Sequence, residues 1–121
     1  MNEKDKIAEI RNLWRRKKIS VPFNDFYNWY LSQEKKCFYC EITEQEIKKL
    51  LETGKLKTKR IKTRGKKLEL DRKNPNLSYN NFNNLVFSCY WCNNAKTDTF
   101  TSKEFKEVGQ VFKKIWSKRR K

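Results

Sequence analysis

Four cysteines stand in two C-x-x-C pairs, Cys37/Cys40 and Cys89/Cys92. A turn of that spacing presents two sulfurs to one side. Two such turns can bring four thiolates to a tetrahedral zinc at about 2.3 Å each. Three other chemistries use the same residues. A disulfide framework suits a secreted chain, but the opening residues Met-Asn-Glu-Lys-Asp-Lys lack the apolar stretch of a signal peptide. A redox C-x-x-C normally occurs once, not twice. An iron–sulfur cluster can use four cysteines, but nothing else in the chain points to electron transfer. The expectation is a structural zinc held by Cys37, Cys40, Cys89 and Cys92, in a reducing, cytoplasmic setting. A small, highly charged chain gains from that staple. A closed four-sulfur site has no open position, so this zinc is not expected to be a catalyst.

The second chemical signal is charge. Thirty Lys and Arg face fourteen Asp and Glu, a net charge of +16 on 121 residues. That excess calls for a polyanion, and nucleic acid is the first choice because each neutralised phosphate releases counterions. An anionic membrane surface ranks second, and a merely solvated face third. Clustering favours nucleic acid. Eight of the thirteen residues from 55 to 67 are basic and none is acidic. Lys57, Lys59, Arg60, Lys62, Arg64, Lys66 and Lys67 are its expected contacts, with smaller clusters at Arg15 to Lys18 and Lys118 to Lys121. No run approaches the roughly 18 apolar residues of a spanning helix. Eight Phe, five Tyr and four Trp supply a core and argue against disorder. Histidine is absent, which removes the commonest general base.

The elements that must position these residues follow from spacing. Ile7, Ile10, Leu13 and Trp14 fall at helical intervals within residues 3–18. Beyond Pro22, Asn24 is placed to cap a short helix with Phe26, Tyr27, Tyr30 and Leu31 on one core-facing stripe. Cys37 to Cys40 makes a tight turn. Thr43 and Glu46 form a capping box for a helix over 44–53 that stops at Gly54. Leu68-Glu69-Leu70-Asp71 alternates like a half-buried strand. Residues 73–83, with Pro75, Ser78 and five Asn, read as a loop, and Leu85-Val86-Phe87 as a buried strand. Cys89 to Cys92 forms a second turn, with a short helix from about Cys92. Thr101 and Glu104 cap a last helix expected to bury Phe105, Val108, Val111, Phe112, Ile115 and Trp116.

From Leu68 to Lys96 this order of elements resembles the HNH endonucleases, the zinc-knuckle branch of the ββα-metal nucleases. In that family a strand ends in Asp-His. A loop leads to an Asn and a second strand, and a C-x-x-C enters a helix with His or Asn next and Lys three residues on. Asp71 matches the Asp, Asn84 the middle Asn, Asn93 the residue after the last Cys and Lys96 the Lys. Cys37/Cys40 matches the first knuckle. The resemblance implies cleavage of DNA phosphodiesters, with RNA as a second substrate, around one Mg²⁺ or Mn²⁺. Asp71 and Asn93 would be its ligands, Asn84 would brace the loop, and Lys96 would join the nucleic-acid contacts.

The family's general base is the His after the Asp, and here that position is Arg72. Arginine stays protonated and is a poor proton acceptor. Cleavage can persist with another base. Glu69 is the first candidate because it shares the face of Asp71, with Tyr79 and Lys73 behind it, while Arg72 binds phosphate. Alternatively the chain is an inactive zinc-stapled binding module, or Arg72 is a plain surface charge. The expected fold is α+β, a zinc-stapled ββα core flanked by N- and C-terminal helices. Its expected layout is a single domain over 1–121, with helices in 1–36, the core in 37–100 and a final helix with a basic tail in 101–121. Either terminal helix could support a homodimer. No membrane partner is expected.

Overall fold

The computed structural model describes residues 2–60, 62 and 64–121. Among these residues five α-helices accompany one two-stranded sheet, in the order α1 (Glu3–Arg16), α2 (Phe23–Ser32), α3 (Glu44–Glu52), β1 (Glu69–Arg72), β2 (Leu85–Ser88), α4 (Tyr90–Lys96) and α5 (Ser102–Arg120). The α+β class and the ββα arrangement of β1, β2 and α4 are those expected. Both capping boxes form: Thr43 accepts from the Glu46 amide and Thr101 from the Glu104 amide, each glutamate answering at the cap backbone.

β1 and β2 pair antiparallel, Glu69 opposite Ser88 through Arg72 opposite Leu85. Alternation along the pair sends Leu70 and Phe87 to one face, where Ile10, Ile19 and Phe26 of the α1–α2 region complete a core. A second core gathers the four cysteines, Ile42, Ile47, Leu50, Phe105 and Trp116, with Val86 packed against it. The hairpin therefore separates an aromatic core from a sulfur-centred one.

Four sequence expectations are corrected. Pro22, not Asn24, is the N-cap of α2; its fixed φ suits a helix start and its missing amide costs nothing there. Leu31 is 45% exposed, and Trp29 takes its place, stacking on Phe82 and Phe87; at helical pitch Trp29 and Tyr30 fall under Phe26, and Leu31 does not. α4 starts at Tyr90 rather than Cys92, because the Cys89 sulfur accepts the Cys92 amide at 3.4 Å and acts as the cap. On α5 the buried stripe is Phe105, Gly109 and Trp116, while Val108, Val111 and Ile115 are 42, 54 and 39% exposed.

Gly109 decides that stripe. A Cβ built there would lie 2.5 Å from the Tyr39 carbonyl oxygen, so bare backbone is what lets α5 touch the first cysteine turn. Gly109→Ala is expected to lower stability by about 2 kcal/mol, the usual cost of overpacking without a flexible neighbour. Denaturant unfolding checks it; an unchanged midpoint would show that α5 can slide without loss.

Candidate functional site

The four cysteine sulfurs, all buried, lie within 4.8 Å of one another. Cys40 and Cys89 are 3.7 Å apart, close to the roughly 3.8 Å edge of a tetrahedron with 2.3 Å metal–sulfur bonds. The set can hold a metal such as zinc. The turn bearing Cys37 docks on the hairpin through the Phe38 amide, which donates to the Phe87 carbonyl at 2.8 Å. Trp116 on α5 donates its indole N–H to the Cys40 sulfur at 3.3 Å. Hydrogen bonds from Cys40 and the other two cysteines hold the Cys37 thiol low, while Cys37 pushes Cys89 and Cys92 up. Crowded thiols cannot all ionise together, and a dication relieves that repulsion.

The clasp sets α4 beside β1, running in the same direction. Glu69 and Asp71 share a face of the strand, and Asn93 and Lys96 share a face of the helix. The Asn93 amide donates to Glu69 Oε1 at 2.9 Å. Lys96 Nζ donates to Asp71 Oδ1 at 3.3 Å and to the Arg72 carbonyl at 2.9 Å. Asp71 Oδ2 accepts the Tyr39 hydroxyl at 2.6 Å. All four polar side chains thus meet at one strand–helix seam.

Depth separates the two carboxylates. Asp71 is 6% exposed and Lys96 fully buried. Burial pushes the Asp71 carboxyl up, against the pull of the Tyr39 hydroxyl and the Lys96 ammonium. Burial and then Asp71 itself push the Tyr39 phenol up, so Tyr39 stays a donor. Lys96 cannot reach a nucleic acid from this position. Its expected role as a phosphate contact is corrected: the last turn of α4 points its side chain inward, where it neutralises Asp71.

Glu69 is at the surface end of the seam. Arg64 takes both its oxygens, Nε at 3.0 Å and Nη2 at 2.6 Å. Burial opposes the charge on Glu69, but the Arg64 and Asn93 bonds outweigh it and hold its carboxyl below the ordinary range. Glu69 is therefore an ionised but weakened proton acceptor.

Glu69 and Asn93 form part of a cleft of about 600 Å³. Its lining includes Arg16 and Lys17 at the end of α1 and Lys62, Arg64, Lys66 and Lys67 of the basic stretch. Lys57, Lys59 and Arg60 are exposed earlier in the basic stretch; positions 61 and 63 lie outside the described residues. Arg72 leaves β1 on the opposite face from Asp71, its guanidinium 4.8 Å from the centre of the Tyr79 ring, with Lys17 at 5.2 Å from that ring. Lys73 lies 5.5 Å from the Phe38 ring. Asn84 clips the long loop: its side chain accepts from the Asn74 amide at 2.9 Å and donates to the Asn74 carbonyl at 3.1 Å. The C-terminal basic residues are the last turn of α5 rather than a free tail, and Arg120 pairs with Glu46 of α3 at 2.5 Å. Sequence reasoning left Tyr39 in a turn and Arg16 and Lys17 in a minor cluster. The capped end of α1, with four consecutive cations, was the signal for that part of the lining.

No protein-family model matches the chain, and neither does any curated protein. Among solved structures it is similar to the rare-cutting HNH restriction endonuclease PacI, at TM-score 0.68 and 23% identity, over 98% of this chain and 82% of that one. The likeness establishes an HNH-nuclease fold. Among the described residues, no helix is long and apolar enough to cross a membrane.

Proposed function

We propose that this protein is a divalent-metal-dependent HNH-type endonuclease acting on DNA phosphodiesters, folded around a structural zinc. One observation carries the reading: on an HNH-nuclease fold, Arg16, Lys17, Lys62, Arg64, Lys66 and Lys67 line one cleft together with Glu69 and Asn93. Clustered cations suit a phosphate backbone, and hard oxygen donors among them suit Mg²⁺ or Mn²⁺.

The donor set fits such a cation. Asn93 offers an amide oxygen in the cleft. Asp71 lies on the same seam; its carboxylate accepts from Tyr39, Lys96 and the Arg72 backbone, which leaves one of its roughly four lone-pair sites for a cation. A bound dication would acidify a water and stabilise charge on the phosphoryl and leaving oxygens. The rest falls to the chain. Lys96 and Tyr39 hold the Asp71 carboxylate ionised and oriented. Glu69 orients the Asn93 amide. Asn84 keeps the loop after β1 in place. Arg16, Lys17, Lys62, Lys66 and Lys67 bind the backbone on either side of the scissile bond. Arg72, against Tyr79, offers a guanidinium for a neighbouring phosphate. Glu69, despite its low proton affinity, remains the first candidate base, because it lines the cleft beside Asn93, whereas Tyr79 and Lys73 do not.

A specific observation favours a second reading. Both carboxylates are already paired with cations of the chain, Asp71 with Lys96 and Glu69 with Arg64, as in a module that binds DNA or RNA without cutting. Supercoiled plasmid with Mg²⁺ or Mn²⁺ separates the two. Nicking that stops when the metal is omitted or chelated is the expected result. A mobility shift without nicking would leave the binding module.

A further inference from the structure

Arg64 is exposed like most of the basic stretch, with 42% of its side chain open to solvent, but its guanidinium is held on two sides. Its fork grips both oxygens of Glu69. Its guanidinium lies over the Tyr90 ring, 4.5 Å from the centre. Its amide donates to the Arg60 carbonyl at 2.8 Å. Glu69 Oε1 is shared with Asn93. A cation of the chain therefore occupies the carboxylate that adjoins the proposed ligand Asn93, and it does so at the mouth of the cleft.

Charge counting gives this arrangement a consequence. Asp71 is neutralised by Lys96 and Glu69 by Arg64, so the seam carries no net negative charge to attract a dication. Releasing Arg64 from Glu69 restores one unit. A phosphodiester entering the cleft gives the guanidinium an alternative bidentate partner. We propose that Arg64 is a resident counter-cation that gates the metal site: while it neutralises Glu69, the charge beside the ligands Asn93 and Asp71 does not favour a divalent cation, and substrate phosphate lifts that restraint by taking Arg64 away. The inference rests on the nuclease reading and adds an order of events, with metal and nucleic acid binding cooperatively. A site built this way stays weak in metal until a backbone is in the cleft.

The test is Mn²⁺ titration followed by the spin-resonance signal of the free ion. It uses the zinc-loaded wild-type chain, Arg64→Gln, Glu69→Gln and the double variant, each with and without a short duplex carrying non-hydrolysable linkages. Arg64→Gln is expected to bind Mn²⁺ about tenfold more tightly without duplex, the effect of one unit charge at close range in a half-exposed site. Duplex should tighten wild type by a similar factor and Arg64→Gln by much less. With Glu69→Gln in the background, Arg64→Gln should change affinity less than about twofold, since the shared carboxylate is gone. Equal or weaker Mn²⁺ binding by Arg64→Gln overturns the gate. So does the same tightening in the Glu69→Gln background, because Arg64 would then be an ordinary surface charge. Mn²⁺ binding of the same affinity in all four chains overturns the gate alone. Absence of Mn²⁺ binding in every chain, with and without duplex, overturns the gate and the metal-dependent reading together.

Discussion

A Cys89→Ser chain is expected to carry no zinc and to lose its cooperative thermal transition. The magnitudes decide this. A structural zinc contributes roughly 10–16 kcal/mol of apparent folding energy in small domains, and a whole domain is stable by only about 5–15 kcal/mol. Losing the ion therefore removes as much as the fold has to give. Serine can still cap α4, because its oxygen can accept the Cys92 amide as the sulfur does, so a lost cap does not explain the collapse. The damage travels through the second core, where the sulfurs sit among Ile42, Ile47, Leu50, Phe105 and Trp116. Zinc content and circular dichroism measure the loss. Trp116 fluorescence adds a local probe, since its indole donates to Cys40 and packs edge-on to Trp91 at 5.4 Å. A Trp116→Phe control should keep its zinc and lose about 1 kcal/mol, the worth of one hydrogen bond. A Cys89→Ser chain that melts like wild type would mean that the four sulfurs need no metal.

The parts of this fold that could be read from sequence are those whose cause is local. Thr43/Glu46 and Thr101/Glu104 sit three residues apart, and both boxes form as read. The alternation at Leu68 to Asp71 marks a strand with one polar face, because period two needs no knowledge of the partner. The face of α5 could not be read this way. Val108, Val111 and Ile115 share the helical period with Phe105 and Phe112, and only the approach of Gly109 to Tyr39 selects which side is buried. The seam is intermediate. The i, i+2 spacing of Glu69 and Asp71 and the i, i+3 spacing of Asn93 and Lys96 put each pair on one face. That Lys96 goes inward to Asp71 depends on packing between segments 25 residues apart, and that Arg64 folds back on Glu69, only five residues on, depends on the path of a stretch with no periodic pattern. Lysine and arginine within a basic chain look like solvated charge until the acid they meet is known.

Asn93→Ala should cost at least about 100-fold in plasmid nicking, comparable to removing one donor from a preorganised site, while the fold survives. Asn93 is half-exposed on a short helix, its side chain hydrogen-bonds Glu69, and alanine is the better helix former. Zinc content and melting midpoint close to wild type would therefore place the loss in the chemistry. Asp71 needs a different design. Removing it alone strands the buried Lys96 ammonium, and breaking a buried pair costs roughly 3–5 kcal/mol, so an inactive Asp71→Ala chain could simply be unfolded. Replacing both partners, Asp71→Leu with Lys96→Met, removes the charges together, an exchange that is often neutral or stabilising. The double variant is expected to keep its zinc and a cooperative melting transition, lowered by the roughly 1–3 kcal/mol that the Tyr39 hydroxyl costs without its acceptor, to keep shifting DNA because Arg16, Lys17 and the basic stretch are untouched, and to nick no plasmid. Nicking by that chain would remove Asp71 from the reaction and leave the Lys96 pair as core architecture.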